Sequence, residues 1–408
     1  MSVPTASPHI VPQNTVKHVA ERTAFPVLVA IAFSHLLNDT IQSLIPALYP
    51  LVKDAYNLSF SDIGLITLAF QMTASILQPV VGHLTDRRPQ PFAMVGGMVF
   101  TLGGVLLLAR AGSFHSILMA VALVGIGSSI FHPEASRMAY VASGGKRALA
   151  QSVFQLGGNA GAALGPLLAA AIIVPLGQSR ISLFSLLPLI AMIVLWRVGK
   201  WYLRMMALRT HRQARQPAVS RAPIPKKHVF GVISILLLLI FSKQFYLASM
   251  TSYFTFYLIG KFEMTIQAAQ IQLFLFLLAA AVGTLAGGLL GDKVGYRTII
   301  WISILGAAPF TLMMPYAGPM WTIILSMLAG IILASAFSAI LVYAQLLIPG
   351  RVGLVSGLFF GFAFGMAGIG SAVLGALADA TSINTVFAVC SYLPLIGLLC
   401  VFLPRERA

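Results

Sequence analysis

Acidic side chains are scarce: ten Asp and Glu in 408 residues, against 26 Lys and Arg. Charged residues together make up 9% of the chain, where soluble domains carry about 25%. So few charges exclude an ordinary soluble domain. Cysteine is almost absent. Cys390 and Cys400 both fall in the last apolar run, which excludes a disulfide framework and a cysteine-built metal cluster. Metal-ligand spacing, a nucleophile elbow and a cofactor motif are all missing. No catalytic residue, metal ligand or cofactor is therefore expected. Gly125-x-Gly127 sits inside an apolar run with no strand before it, so it is not a nucleotide loop. What is abundant is apolar: 58% of residues are hydrophobic. The chain reads as an integral membrane protein.

About 20 apolar residues span a bilayer. Twelve such runs occur, roughly 25–49, 61–83, 91–110, 115–139, 149–174, 181–202, 229–258, 265–290, 298–316, 320–346, 352–377 and 384–403. Residues 1–22 are polar and read as a cytoplasmic N-terminal tail rather than a signal peptide. Between the sixth and seventh runs, 203–228 holds seven basic residues, no acid and three prolines, the composition of a linker. With the N-terminus cytoplasmic, nearly all Lys and Arg fall on the cytoplasmic side, leaving Lys53, Arg110, Arg180 and Lys261 outside. That imbalance predicts both termini inside. The net charge of +16 is then topological rather than a nucleic-acid footprint.

The stretch FSHLLNDTIQSL, residues 33–44, lies mid-run. His35 and Asp39 are four apart and share one helix face, which Gln42 extends. An ionisable group at the midplane costs roughly 2.5–3.5 kcal/mol on insertion scales, so two on one face predict a functional site. Lys243 falls in the middle of the seventh run, where it needs an anionic partner or a wet cavity. One bland alternative is an Asp39–Lys243 pair that only supports folding. Tyr246 and Tyr253 follow on one stripe. In the fourth run, Glu134 and Arg137 are three apart beside His132, and either serve the site or brace the helix end as a pair. Gln71, Gln155 and Asn159 fit a cavity lining, though each alone is more often interhelical glue.

The chain also repeats. Gly82, Asp86 and Arg87 after the second run match Gly288, Asp292 and Lys293, with Arg297, after the eighth, the acids being 206 residues apart. Ser152, Gly157 and Gly161 match Ser356, Gly361 and Gly365 at an offset of 204. This predicts a parallel repeat: residues 23–202 and 229–408 as two pseudo-symmetric six-helix bundles, joined by the linker. An acid at 86 or 292 is placed to meet basic neighbours or a helix N-terminus of the facing half. Pro89 stands where the second copy has Gly295, so the two turns differ. Gly157, Gly161 and Gly165, followed by Pro166, offer a close-packing face.

Six plus six helices with doubled G-x-x-x-D-[RK] loops resemble the major facilitator superfamily. LAFQMTASILQPVVG, SSIFHPEASR, GGNAGAALGPLL, LIFSKQFYLASMTSYFTFYL and SGLFFGFAFGM are similar to its fosmidomycin resistance branch, bacterial inner-membrane exporters. The resemblance implies an all-α membrane protein with 12 transmembrane helices, the loop motif acting as a cytoplasmic latch. It implies a monomeric proton-coupled antiporter exporting a small anion such as the phosphonate fosmidomycin, driven by the proton gradient. The glycine run resembles a fifth-helix motif of drug–proton antiporters. In that reading Lys243, with His35 or Arg137, holds the anion, Asp39 carries the proton and Glu134 is the second carrier. Partners are the anion, protons and membrane lipid, with no nucleic acid. The main alternative is a proton-linked importer of an organic anion; a sensor or membrane-embedded enzyme fits less well.

Overall fold

The structure, a computed structural model, describes residues 23–213, 226–348 and 350–402. Twelve helices among them are long and apolar enough to cross a membrane. In the first half these are α1 Phe25–Ala55, α2 Phe60–Arg87, α3 Ala93–Arg110, α4 Phe114–Ala142, α5 Leu149–Leu176 and α6 Gln178–Ala207. In the second they are α7 Val229–Phe262, α8 Ile266–Gly287, α9 Tyr296–Tyr316, α10 Pro319–Leu347, α11 Val352–Ala380 and α12 Ile383–Phe402. The apolar runs located these helices to within a few residues. The expected tail, 1–22, lies outside the described residues. So does most of the linker, although helix continues from α6 to Gln213 and restarts at Lys226. The side chains of Gly288, Asp292 and Lys293 are likewise outside the description.

Small residues set how closely the helices approach. Along α5, a Cβ on Gly157 would overlap the carbonyl of Ala32, and one on Gly161 the carbonyl of Leu36. One on Gly165 would strike Ser43 Oγ. The glycine run is therefore the seam against α1. Pro166 sits within that helix, and a π-helical turn, Ala169–Ile173, follows it. The ring removes an N–H and crowds the preceding carbonyls, and the wider turn takes up the mismatch.

The two halves meet along α2 and α11, which run antiparallel. Gly64 faces Ser371 and Ala372, Gly375 faces Phe60, Gly357 faces Gln78, and Gly82 faces Gly353. Asp86 completes this seam at the basic end of the bundle. Its Oδ1 accepts from the Gly353 N–H at 3.1 Å and its Oδ2 from the Leu354 N–H at 2.9 Å. These are orphan donors in the first turn of α11. Asp86 thus meets a helix N-terminus of the facing half, while Arg87 beside it is exposed. Arg297 donates to the Val401 carbonyl at 3.1 Å, tying α9 to α12.

The buried apolar residues form two clusters that divide at mid-depth. One includes Leu37, Phe131, Phe154, Ile240 and Ala336; the other includes Ile41, Val124, Ala169, Tyr246 and Leu333. On α1, α4, α5, α7 and α10 the switch falls between these neighbours. Asp39, Asn159 and Lys243 fall in that division.

Candidate functional site

A cavity of about 250 Å3 opens at this level. Helices of both halves line it. His35, Asp39 and Gln42 come from α1, Gln71 from α2, His132 from α4, and Gln155, Asn159 and Pro166 from α5. The second half supplies Lys243, Gln244, Thr251 and Ser252 of α7, with Phe337, Phe360 and Phe364 as apolar wall. Asn159 Nδ2 donates to Thr284 Oγ1 of α8, joining the halves beside the cavity.

His35, Asp39 and His132 form one cluster. His35 Nε2 lies 3.2 Å from Asp39 Oδ2 and 3.3 Å from His132 Nε2; His132 Nε2 lies 3.6 Å from Asp39 Oδ1. The opposite edge of each ring is anchored. His35 Nδ1 donates to the Phe154 carbonyl at 2.7 Å, and His132 Nδ1 meets the Ser128 carbonyl at 3.1 Å. A carbonyl only accepts, so His35 Nδ1 carries the hydrogen and His35 Nε2 presents a lone pair inward. His132 Nδ1 also meets Ser128 Oγ at 3.1 Å, so either nitrogen of His132 can carry the hydrogen. The His35 lone pair, His132 Nε2 and a carboxylate converge on one point. A proton on either Nε2 places a donor beside the Asp39 carboxylate. Asn38 Nδ2 at 2.9 Å and Gln42 Nε2 at 3.1 Å also donate to Asp39 Oδ1, fixing the carboxylate. The three ligand atoms all lie within 4.8 Å of one another, a donor set with room for a small cation.

Lys243 lines the same cavity and is 3% exposed. No described carboxylate lies within 4.0 Å of it, so the alternative Asp39–Lys243 ion pair is not made. Its Nζ stands 5.3 Å from the centre of the Phe337 ring. The Oε1 atoms of Gln71 and Gln155 are buried and have no hydrogen-bond partner among the described residues. The cavity therefore combines a cation, free amide groups and aromatic wall.

Several expected residues stand elsewhere. Glu134 and Arg137 do not line the cavity. Arg137 Nη2 reaches Glu134 Oε2 at 2.7 Å, Nε reaches Oε1 at 3.0 Å, and Nη1 donates to Tyr202 OH at 2.7 Å. Both are buried, so the pair satisfies itself against α6. Glu134→Gln alone strands a buried guanidinium and should cost about 3–5 kcal/mol of stability. Adding Arg137→Met should restore most of it. Thermal unfolding in detergent measures both, and the double variant should still transport. Tyr246 and Tyr253 are also core: both are buried, and Tyr253 OH donates to the Ser371 carbonyl at 2.6 Å. Helical spacing gave their shared stripe but not which neighbours cover it. In the other direction, His132 joins Asp39 directly, which its position three helices further along the chain did not reveal.

A sequence profile for the Major Facilitator Superfamily matches residues 31–271 and 245–408. The chain belongs to the major facilitator superfamily. Within the superfamily it is 56% identical over 386 residues to the fosmidomycin resistance protein of Escherichia coli (strain K12), covering 95% of this chain and 94% of that one. It is 40% identical over 385 residues to the uncharacterized MFS-type transporter YfnC of Bacillus subtilis (strain 168), covering 94% of each. The fold is also that of the E. coli fucose:proton symporter FucP, with a TM-score of 0.64 over 94% of this chain and 100% of that one, at 16% identity. FucP in its outward conformation gives a TM-score of 0.66 over 95% of this chain. This major facilitator protein is a multi-pass membrane transporter, and neither its relatives nor its fold are those of an enzyme.

Proposed function

We propose that the protein exports a small anionic compound in exchange for protons, and that fosmidomycin is such a cargo. The observation that carries this reading is one cavity holding both an unpaired lysine and a cluster of two imidazoles on a carboxylate. Lys243 binds the anion by a charge-assisted hydrogen bond. The His35–Asp39–His132 cluster holds the proton. Proton and anion alternate: the anion leaves on Lys243 with the cluster deprotonated, and a proton taken up outside returns on the cluster with Lys243 empty. Glu134 and Arg137 take no direct part. The chain works as two six-helix halves, 23–202 and 229–408, rocking about the mid-depth cavity. It acts as a monomer in the bacterial inner membrane with both termini cytoplasmic and needs no cofactor beyond the proton gradient. Each uncompensated negative charge leaving the cell gains roughly 2.3 kcal/mol per 100 mV. Kinship to a fosmidomycin resistance protein supports the cargo.

Proteoliposomes loaded with a pH dye test this. Fosmidomycin added outside should raise the internal pH, since anion entry drives protons out. A fall in internal pH would make the protein a symporter. No response would remove this cargo.

A further inference from the structure

The α2–α11 seam is fastened at both ends, and by the same device. Asp86, next to last in α2, accepts from the first-turn N–H groups of α11. Asp379, next to last in α11, returns the arrangement at the opposite end of the bundle. Its Oδ1 accepts from the Phe60 N–H at 3.0 Å. Its Oδ2 accepts from the Ser61 N–H at 2.8 Å and from Ser61 Oγ at 2.6 Å. The N-terminus of α2 is otherwise only partly satisfied from within its own half. Ser59 Oγ accepts from the Asp62 N–H at 3.0 Å, and the Asp62 carboxylate takes the Ser59 N–H at 2.9 Å. The donors of Phe60 and Ser61 are left to Asp379. Lys53 stands alongside, its Nζ 4.8 Å from the centre of the Phe60 ring. The carboxylate thus lies on the positive end of a helix dipole with a lysine nearby.

Asp379 does not belong to the repeated loop motif. The residue 204 positions earlier, in the matching place on α5, is Pro175, so the first half carries no copy. The acid serves this seam alone. Because α2 and α11 belong to different halves, its bonds span the interface that must part at one end and then at the other.

We propose that Asp379 is the outer gating residue, the counterpart of Asp86 at the cytoplasmic end. Each transport step then releases one carboxylate from the facing helix N-terminus while the other stays fastened. Opening toward the outside breaks the Asp379 bonds to Phe60 and Ser61; opening toward the cytoplasm breaks the Asp86 bonds to Gly353 and Leu354. The idea rests on the transport reading for its purpose only, since the motion itself is measurable without any cargo.

Pairs of spin labels read the two ends separately in the full chain. One pair, Asn57→Cys with Thr381→Cys, reports the outer end; the other, Gln90→Cys with Arg351→Cys, reports the cytoplasmic end. All four positions are exposed, while Cys390 and Cys400 are buried. Asp379→Ala should enlarge the long-distance population of the outer pair roughly tenfold, since hydrogen bonds to a charged group are lost. The cytoplasmic pair should keep or shorten its distance. Asp86→Ala should do the reverse. Asp379→Asn, which preserves shape and one acceptor, should fall between wild type and Asp379→Ala. An outer distribution unchanged in both Asp379 variants would overturn the proposal. So would equal lengthening at both ends, which would mark a general loosening of the seam. Failure of anion-driven proton movement with these distance shifts intact would sink the cargo and leave the gate standing.

Discussion

Asp39→Asn should sharply slow anion-driven proton movement while leaving the anion bound. The carboxylate is the charged member of the cluster, held 3.2 Å from His35 Nε2 and 3.6 Å from His132 Nε2. An amide in its place presents one acceptor and one donor. The donor satisfies an imidazole lone pair directly, so the cluster no longer needs a proton to avoid opposed acceptors. Coupling between sites is worth about 1–3 kcal/mol in typical cases, so its removal should slow coupled flux by roughly 5- to 150-fold. Anion affinity should hold, because Lys243 and the lining amides are untouched. Proton flux in dye-loaded proteoliposomes and calorimetric Kd values on one preparation measure the two halves of this result. Equal loss of binding and flux would place Asp39 in anion recognition instead.

Lys243→Ala should give the opposite pattern. The lysine is the one cation among the described lining residues apart from the titratable histidines, and it has no carboxylate partner to lose. Its removal therefore subtracts a ligand contact without stranding a counter-charge, so the protein should fold normally. A hydrogen bond to a charged group contributes about 1.5–3 kcal/mol, which is roughly 10- to 150-fold in Kd. Lys243→Gln, which keeps length and a donor but not the charge, should fall between. Equilibrium binding of fosmidomycin measures the series. Unchanged affinity in both variants would mean that the anion is held elsewhere.

Much of this arrangement was legible in the chain because a bilayer leaves few solutions. Backbone groups in hydrocarbon must be satisfied within each segment, so twelve apolar runs meant twelve helices. Ionisable residues inside those runs carry a cost that only a purpose offsets, which marked His35, Asp39 and Lys243. The doubled loop located Asp86, and its meeting with a facing helix N-terminus followed from the dipole. What sequence could not supply was which face of each helix meets which neighbour. Every face of a bundle helix is apolar, whether it touches lipid or protein. Tyr246 and Tyr253 share a stripe as expected, yet that stripe is core. Glu134 and Arg137 looked like site residues because they are charged within an apolar run, and they turned to each other and to Tyr202. Asp379 gave no signal: it ends an apolar run and has no repeat mate. Its role is visible only once α2 is seen beside α11.

Mutual exclusion of anion and proton in one cavity is measurable by linkage, without a membrane. Anion binding to the purified protein is titrated by calorimetry at one pH in buffers of different ionisation enthalpy. The dependence of the observed heat on buffer gives the protons exchanged per anion bound. Wild type should release protons on binding the anion, and Asp39→Asn should release none. Net proton uptake on binding would mean that the two ligands favour each other, which contradicts exchange and makes the protein an importer.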